Sequence, residues 1–142
     1  MIKKIILLFL ATTSLISCKK EIHSLLLERG DWSISSLYVK QDFSGKISEY
    51  YVSNAGTFHF EKEEKGRFTN ASDSTFSNTE FKWISDGARV SLTFDSTSVS
   101  EKWTILKSEI SRQEWEITQN IIHQKGGLSF TEKRYRKIIL EK

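Results

Sequence analysis

Proline is absent from the 142-residue chain and glycine occurs only seven times, which excludes a polyproline spacer and a glycine-rich flexible tail. Cysteine occurs once, as Cys18, so no internal disulfide can staple the fold. An excess of one charge sign is also missing. Basic residues number 21 against 18 acidic ones, and without Lys3 and Lys4 of the amino-terminal segment the difference is one. That balance gives no electrostatic footprint for nucleic acid, and no nucleic-acid partner is expected. The longest apolar run, Ile5–Ala11 extended by Thr12–Ser17, is shorter than the ~17–25 residues of a membrane-crossing helix. Signatures of catalysis are missing too. His23, His59 and His123 stand apart without metal-ligand spacing, and there is no Gly-x-Ser-x-Gly elbow. Gly126-Gly127 precedes no helix carrying Lys-Ser/Thr and reads as a hairpin turn, not a phosphate cradle. Glu61, Glu63 and Glu64 read as a solvated charged turn. The expectation is a protein that is not an enzyme and needs neither cofactor nor metal.

What is present is period-two alternation of large side chains. Within Asn78–Lys107, Phe81 and Trp83 sit two apart in Thr79–Ser85, then Val90, Leu92 and Phe94 in Arg89–Asp95, then Trp103 and Ile105. Spacing of two puts each set on one face of an extended strand, and Asp86-Gly87 and Asp95–Ser98 between the sets carry turn chemistry. Antiparallel neighbours follow. The same alternation recurs in Thr57–Glu61 (Phe58, Phe60), Arg67–Asn70 (Phe68), Glu114–Gln119 (Trp115, Ile117), Leu128–Thr131 (Phe130) and Glu132–Leu140 (Tyr135). In the first strand, Asp31–Lys40, Trp32 and Ile34 are placed with Tyr38 on one face and Leu37 and Val39 on the other. The change of phase near Ser35-Ser36 predicts a bulge. Gln41–Ile47, with Asp42 and Gly45, should turn, and Asn54-Ala55-Gly56 is further punctuation.

Eight or nine short strands, joined neighbour to neighbour without a long crossover, predict an all-β fold: a small eight-stranded antiparallel up-and-down barrel, whose closure removes exposed edges. A β-sandwich shows the same alternation and is the competing solution. The rings of Trp32, Phe58, Phe60, Phe81, Trp83, Phe94, Trp103, Trp115, Phe130 and Tyr135 are expected inside, either filling the core or lining a cup for a small hydrophobic ligand, its mouth formed by loops such as Gln41–Ile47 and Ala71–Ser77. The run Lys133–Lys137 is expected to be a solvated strand face, with a phosphate or lipid-headgroup contact as the other reading.

The amino terminus carries an address. Met1–Lys4 supplies a short positive region, the apolar run follows, and Leu15-Ile16-Ser17-Cys18 closes it. That tetrapeptide resembles the lipobox of bacterial lipoproteins. The resemblance implies a signal peptide over 1–17, an acylated Cys18 held in membrane lipid, and a tether with a short helix or turn over 18–29 before a domain of 30–142. Lys19-Lys20-Glu21 lacks an aspartate after the cysteine, which favours the outer membrane, and the run is similar to lipoprotein starts of Bacteroidetes and Flavobacteria.

Gly30-Asp31-Trp32, with Gly56–Phe60, Phe81–Trp83 and Glu101–Trp103, resembles the lipocalin-like (calycin-type) small lipoproteins of those bacteria. The resemblance implies a barrel whose first tryptophan plugs the closed end beneath a basic residue of the last strand, here Arg134 or Arg136. It also implies a membrane-anchored, non-catalytic protein that binds a small hydrophobic ligand at the cell envelope, periplasmic or surface-facing. The alternative is an accessory module whose outer face contacts an envelope protein.

Overall fold

A computed structural model describes residues 21, 23–69, 79–95 and 99–142. The signal peptide over 1–17, Cys18 and the expected mouth loop Ala71–Ser77 lie outside the described residues. Eight strands follow one helical segment at 23–28: β1 (Asp31–Phe43), β2 (Lys46–Phe60), β3 (Lys65–Thr69), β4 (Thr79–Ser85), β5 (Arg89–Phe94), β6 (Ser100–Ser108), β7 (Arg112–Lys125) and β8 (Leu128–Glu141). Every strand pairs antiparallel with its sequence neighbour, and β8 pairs with β1 to close the barrel. The sandwich alternative is thereby set aside.

The strands are not uniformly short. β1, β2, β7 and β8 run for 13 to 15 residues, whereas β3, β4 and β5 have 5 to 7. Residues that looked like breaks are absorbed into pairing. Asp42 and Phe43 stay in register with Ile47 and Lys46, leaving only Ser44-Gly45 as the turn, both at positive φ. Asn54–Gly56 becomes an irregularity inside β2 where the β1 register shifts between Ile34 and Ser36. One wall of the barrel, β2-β1-β8-β7, therefore stands taller than the other.

The bulge at Ser35 forms, but it reverses the expected faces beyond it. Leu37 packs against the core and Val39 is 2 % exposed, while Tyr38 meets Tyr51 and Tyr135 across the outer surface. An extra residue in one strand flips every later side chain, and the buried set here is aliphatic.

The closed half of the barrel is filled. Trp32, Phe58, Phe60, Phe81, Trp83, Trp103 and Trp115 are all buried, with Val90, Leu92, Ile138 and Leu140 between them. Rings meet edge-on, as in Phe60 against Trp83 at 5.2 Å and Phe58 against Phe81 at 5.6 Å. Gly66 has no side chain because the Phe81 ring lies against its backbone; a Cβ there would collide with the ring and with the His59 carbonyl. The helical segment covers this end. His23 and Leu27, one turn apart, both face the barrel and are buried. Leu27 offers its carbonyl to Trp32 Nε1 at 3.1 Å.

Candidate functional site

Inner side chains change character along the tall wall. From the closed end upward, β8 presents Leu140, Ile138, Arg136, Arg134, Glu132 and Phe130 on its inner face, because alternate residues share a side. Opposite them in register stand Gln113, Trp115, Ile117, Gln119, Ile121 and His123 of β7. The interior is thus filled mainly by rings and aliphatic side chains to the level of Ile138, with buried Gln113 as a polar group at the bottom, and is mainly polar above it.

Arg134 and Arg136 were expected to be exposed or to cover Trp32, and they do neither. Both point inward, and the cation over Trp32 is Lys142, 4.6 Å from the ring centroid. Arg136 lies 5.0 Å from the centroid of Trp103. Its Nη2 donates to Glu101 Oε1 and to Gln119 Oε1, each at 2.6 Å, and Glu101 Oε2 accepts from Trp103 Nε1 at 3.1 Å. Guanidinium stems are long enough to line a wall and carry charge to a partner, so alternation alone does not separate them from outward residues.

One level up, Glu132 is the hub of a closed network. Its carboxylate accepts from Arg134 Nε and Nη2 at 2.6 and 3.0 Å and from Gln41 Nε2 at 3.0 Å, and it pairs with His123 Nε2 at 2.8 Å. With the carboxylate side chain 1 % exposed, these hydrogen bonds, the Arg134 guanidinium first, hold its carboxyl below the usual range despite burial. His123 also stacks on Phe130 at 5.9 Å and meets Phe43 at 5.2 Å, which makes an aromatic rim above the ionic level.

Two donors inside the barrel have no acceptor among the described residues: Arg136 Nε and Trp115 Nε1. The other tryptophans are satisfied, Trp83 Nε1 by the Lys65 carbonyl at 2.9 Å, Trp32 and Trp103 as above. Arg136 faces Ile117 and Trp115 faces Ile138, so the orphaned donors come from diagonal neighbours on adjacent strands. They mark the boundary between packed rings and polar mouth.

Of the ring residues named from the sequence, Phe94 and Phe130 are inward but only partly buried. Tyr135 is misplaced: it stands outside, its hydroxyl donating to Glu116 Oε2 at 2.9 Å, and burial against this surface together with that bond pushes its pKa up to about 12. The polar interior, Gln41, Glu101, Gln119, His123 and Glu132, has no sequence motif. Its one trace is the inward phase that each shares with a neighbouring ring. His23 was equally silent, and it is buried at the closed end with Nδ1 2.7 Å from Ser85 Oγ and Nε2 3.2 Å from Gln113 Oε1. His59 sits on the outer face beside Asp31 at 2.7 Å. No group of three or more His, Cys, Asp or Glu suited to a metal occurs among the described residues. A hollow of about 230 Å³ lies outside the barrel between Ser36, Tyr38, Tyr51, Lys137 and Ile139.

No protein-family model, no curated protein and no solved structure matches the chain.

Proposed function

We propose that the chain is a lipid-anchored, lipocalin-like binding module of the cell envelope, non-catalytic, which holds the oxygen-bearing end of a small and otherwise hydrophobic ligand in the upper half of its barrel. The observation that carries this reading is the pair of buried donors, Arg136 Nε and Trp115 Nε1, that no acceptor among the described residues meets. Leaving a buried donor unpaired costs about 1–3 kcal/mol, so an incoming carboxylate or carbonyl gains by satisfying both. Arg136 remains over Trp103 while it does so, which favours a flat or aliphatic body lying on the aromatic floor. The rings below are packed against each other, so the ligand sits on them and not among them.

Native mass spectrometry of protein extracted gently from its source membrane tests the reading. The wild type should carry an adduct that the double variant Arg136→Met/Glu101→Gln lacks. The second substitution removes the carboxylate that Arg136 would otherwise leave buried and unpaired. Wild-type protein that is folded, acylated and empty contradicts the proposal. A second reading, an accessory module that docks an envelope protein, is favoured by the outer tyrosine hollow, where Tyr51 is 75 % exposed beside Tyr38. In that case Tyr51→Ala should release the partner and leave the adduct unchanged.

A further inference from the structure

We propose that the closed end of the barrel rests on the bilayer surface, with Leu25 and Ile110 in the headgroup layer, so that the mouth points away from the membrane. The inference rests on the reading of Cys18 as the lipid-bearing residue and adds to it a docking face and an orientation.

The helical segment fixes where the tether leaves. His23 and Leu27 are buried in the barrel's end, and Leu25, two residues past His23, lies on the opposite side of the helix, facing away, and is 52 % exposed. The β6–β7 turn is tied to the same helix through Gln113, whose Oε1 accepts from His23 Nε2 at 3.2 Å and whose Nε2 donates to the Glu109 carbonyl at 2.9 Å. On that turn Ile110 is 75 % exposed. Leu106, outward on β6 just before the turn, is 48 % exposed. Large aliphatic side chains from two separate segments therefore project from one end of the barrel, where no described residue covers them.

Tether length selects the occupant. Cys18 precedes His23 by five positions, a reach of at most ~17 Å for an extended chain. Fourteen-residue β8 spans the barrel from mouth to closed end, about 35 Å once strand tilt is allowed for. A bilayer that holds Cys18 can touch the closed end, but it cannot receive the mouth tip of an upright barrel. Ile47, Ile122 and Leu128, the exposed aliphatic residues of the tall wall's rim, then face away from the membrane. Charge does not drive the contact: at the closed end Lys107 pairs with Glu109 and Arg112 with Glu141, and the further charges Arg29 and Lys142 are matched in number by Glu28 and Asp31. Docking should accordingly be the same on neutral and on anionic lipid.

Hydrogen exchange on the tethered full chain tests this. The lipidated protein is placed on phosphatidylcholine vesicles, with and without phosphatidylglycerol, and compared with the Cys18→Ser chain in solution. Exchange in the turn 109–111 should slow about threefold or more on both vesicles, while the mouth turns 44–45 and 126–127 keep their solution rates. Leu25→Ser/Ile110→Ser should abolish the slowing and leave the protein bound. A purified protein whose mass shows no acyl chains overturns the reading of Cys18. The docking face is then tested by coupling that unique cysteine to a maleimide lipid. Unchanged exchange at 109–111 with either tether in place, or slowing at the mouth turns instead, overturns the docking.

Discussion

Two buried titratable residues carry much of what holds the ends of this barrel. Glu132 accepts three hydrogen bonds from Arg134 and Gln41 with almost no exposure and pairs with His123 as well, so replacing it by Gln breaks a satisfied network and leaves Arg134 without its bidentate partner. We expect a loss of about 2–3 kcal/mol, read from urea unfolding, because Arg134 stays partly hydrated and softens the penalty. Its folded pKa lies below the ordinary value of 4.5. The stabilisation is therefore complete above that value and disappears as pH falls through the depressed one. His23 behaves in the same sense for a different reason. Burial, opposed by the bond to Gln113 and by Asp86, keeps its pKa below 6.5, so the unfolded chain binds a proton that the folded one resists. Its contribution is present above pH 6.5 and is lost on acidification through the lower folded value. Thermal melts of wild type should drop across that window, and those of His23→Gln should be flatter. A wild-type melting temperature that is constant from neutral pH to mild acid would contradict the buried, neutral histidine.

Individual strands were legible where one face is rings and the other is small polar residues. β4, read as Thr79–Ser85, has those bounds in the structure, because Phe81 and Trp83 leave no other phase. The long strands were read in fragments, since Asp42, Gly45 and Asn54–Gly56 carry turn chemistry whether or not the chain turns there, and pairing with β1 carries β2 through. Tyr135 shows a second limit. A ring beside Arg134 and Arg136 looked inward, yet carboxylates at matching depth, Glu132 and Glu101, bring the arginines in and send the ring out. Such pairing is a property of the closed sheet and is invisible in a single strand. Two substitutions test the element-level account. Gly66→Ala should cost about 2 kcal/mol or more, because the Cβ meets the Phe81 ring and the β2 backbone and neither can withdraw. Glu64→Gly should instead gain about 1 kcal/mol, since Glu63 and Glu64 both sit at positive φ in the β2–β3 turn. Its carbonyl bond to the Trp83 amide, at 2.8 Å, survives the change. Denaturant midpoints report both, and a stabilised Gly66→Ala would contradict the close approach.

For the molecule as a whole, the barrel divides into a packed base and a polar mouth, and the functional reading depends on that division. The architecture was legible from periodicity; the division was not, because it is made by seven inner side chains scattered over four strands: Gln41, Glu101, Gln119, His123, Glu132, Arg134 and Arg136. The measurement that bears most directly on it is the proton–nitrogen spectrum of the four indole N–H groups. Trp32, Trp83 and Trp103 donate to protein acceptors, and Trp115 meets none among the described residues. Comparing gently extracted protein with the same protein delipidated and refolded, we predict that the Trp115 resonance, assigned by Trp115→Phe, lies downfield in the extracted form and that the other three hold still. A Trp115 resonance at one position in both preparations, with Arg136 Nε–H equally unmoved, would contradict a ligand at the boundary between the two halves.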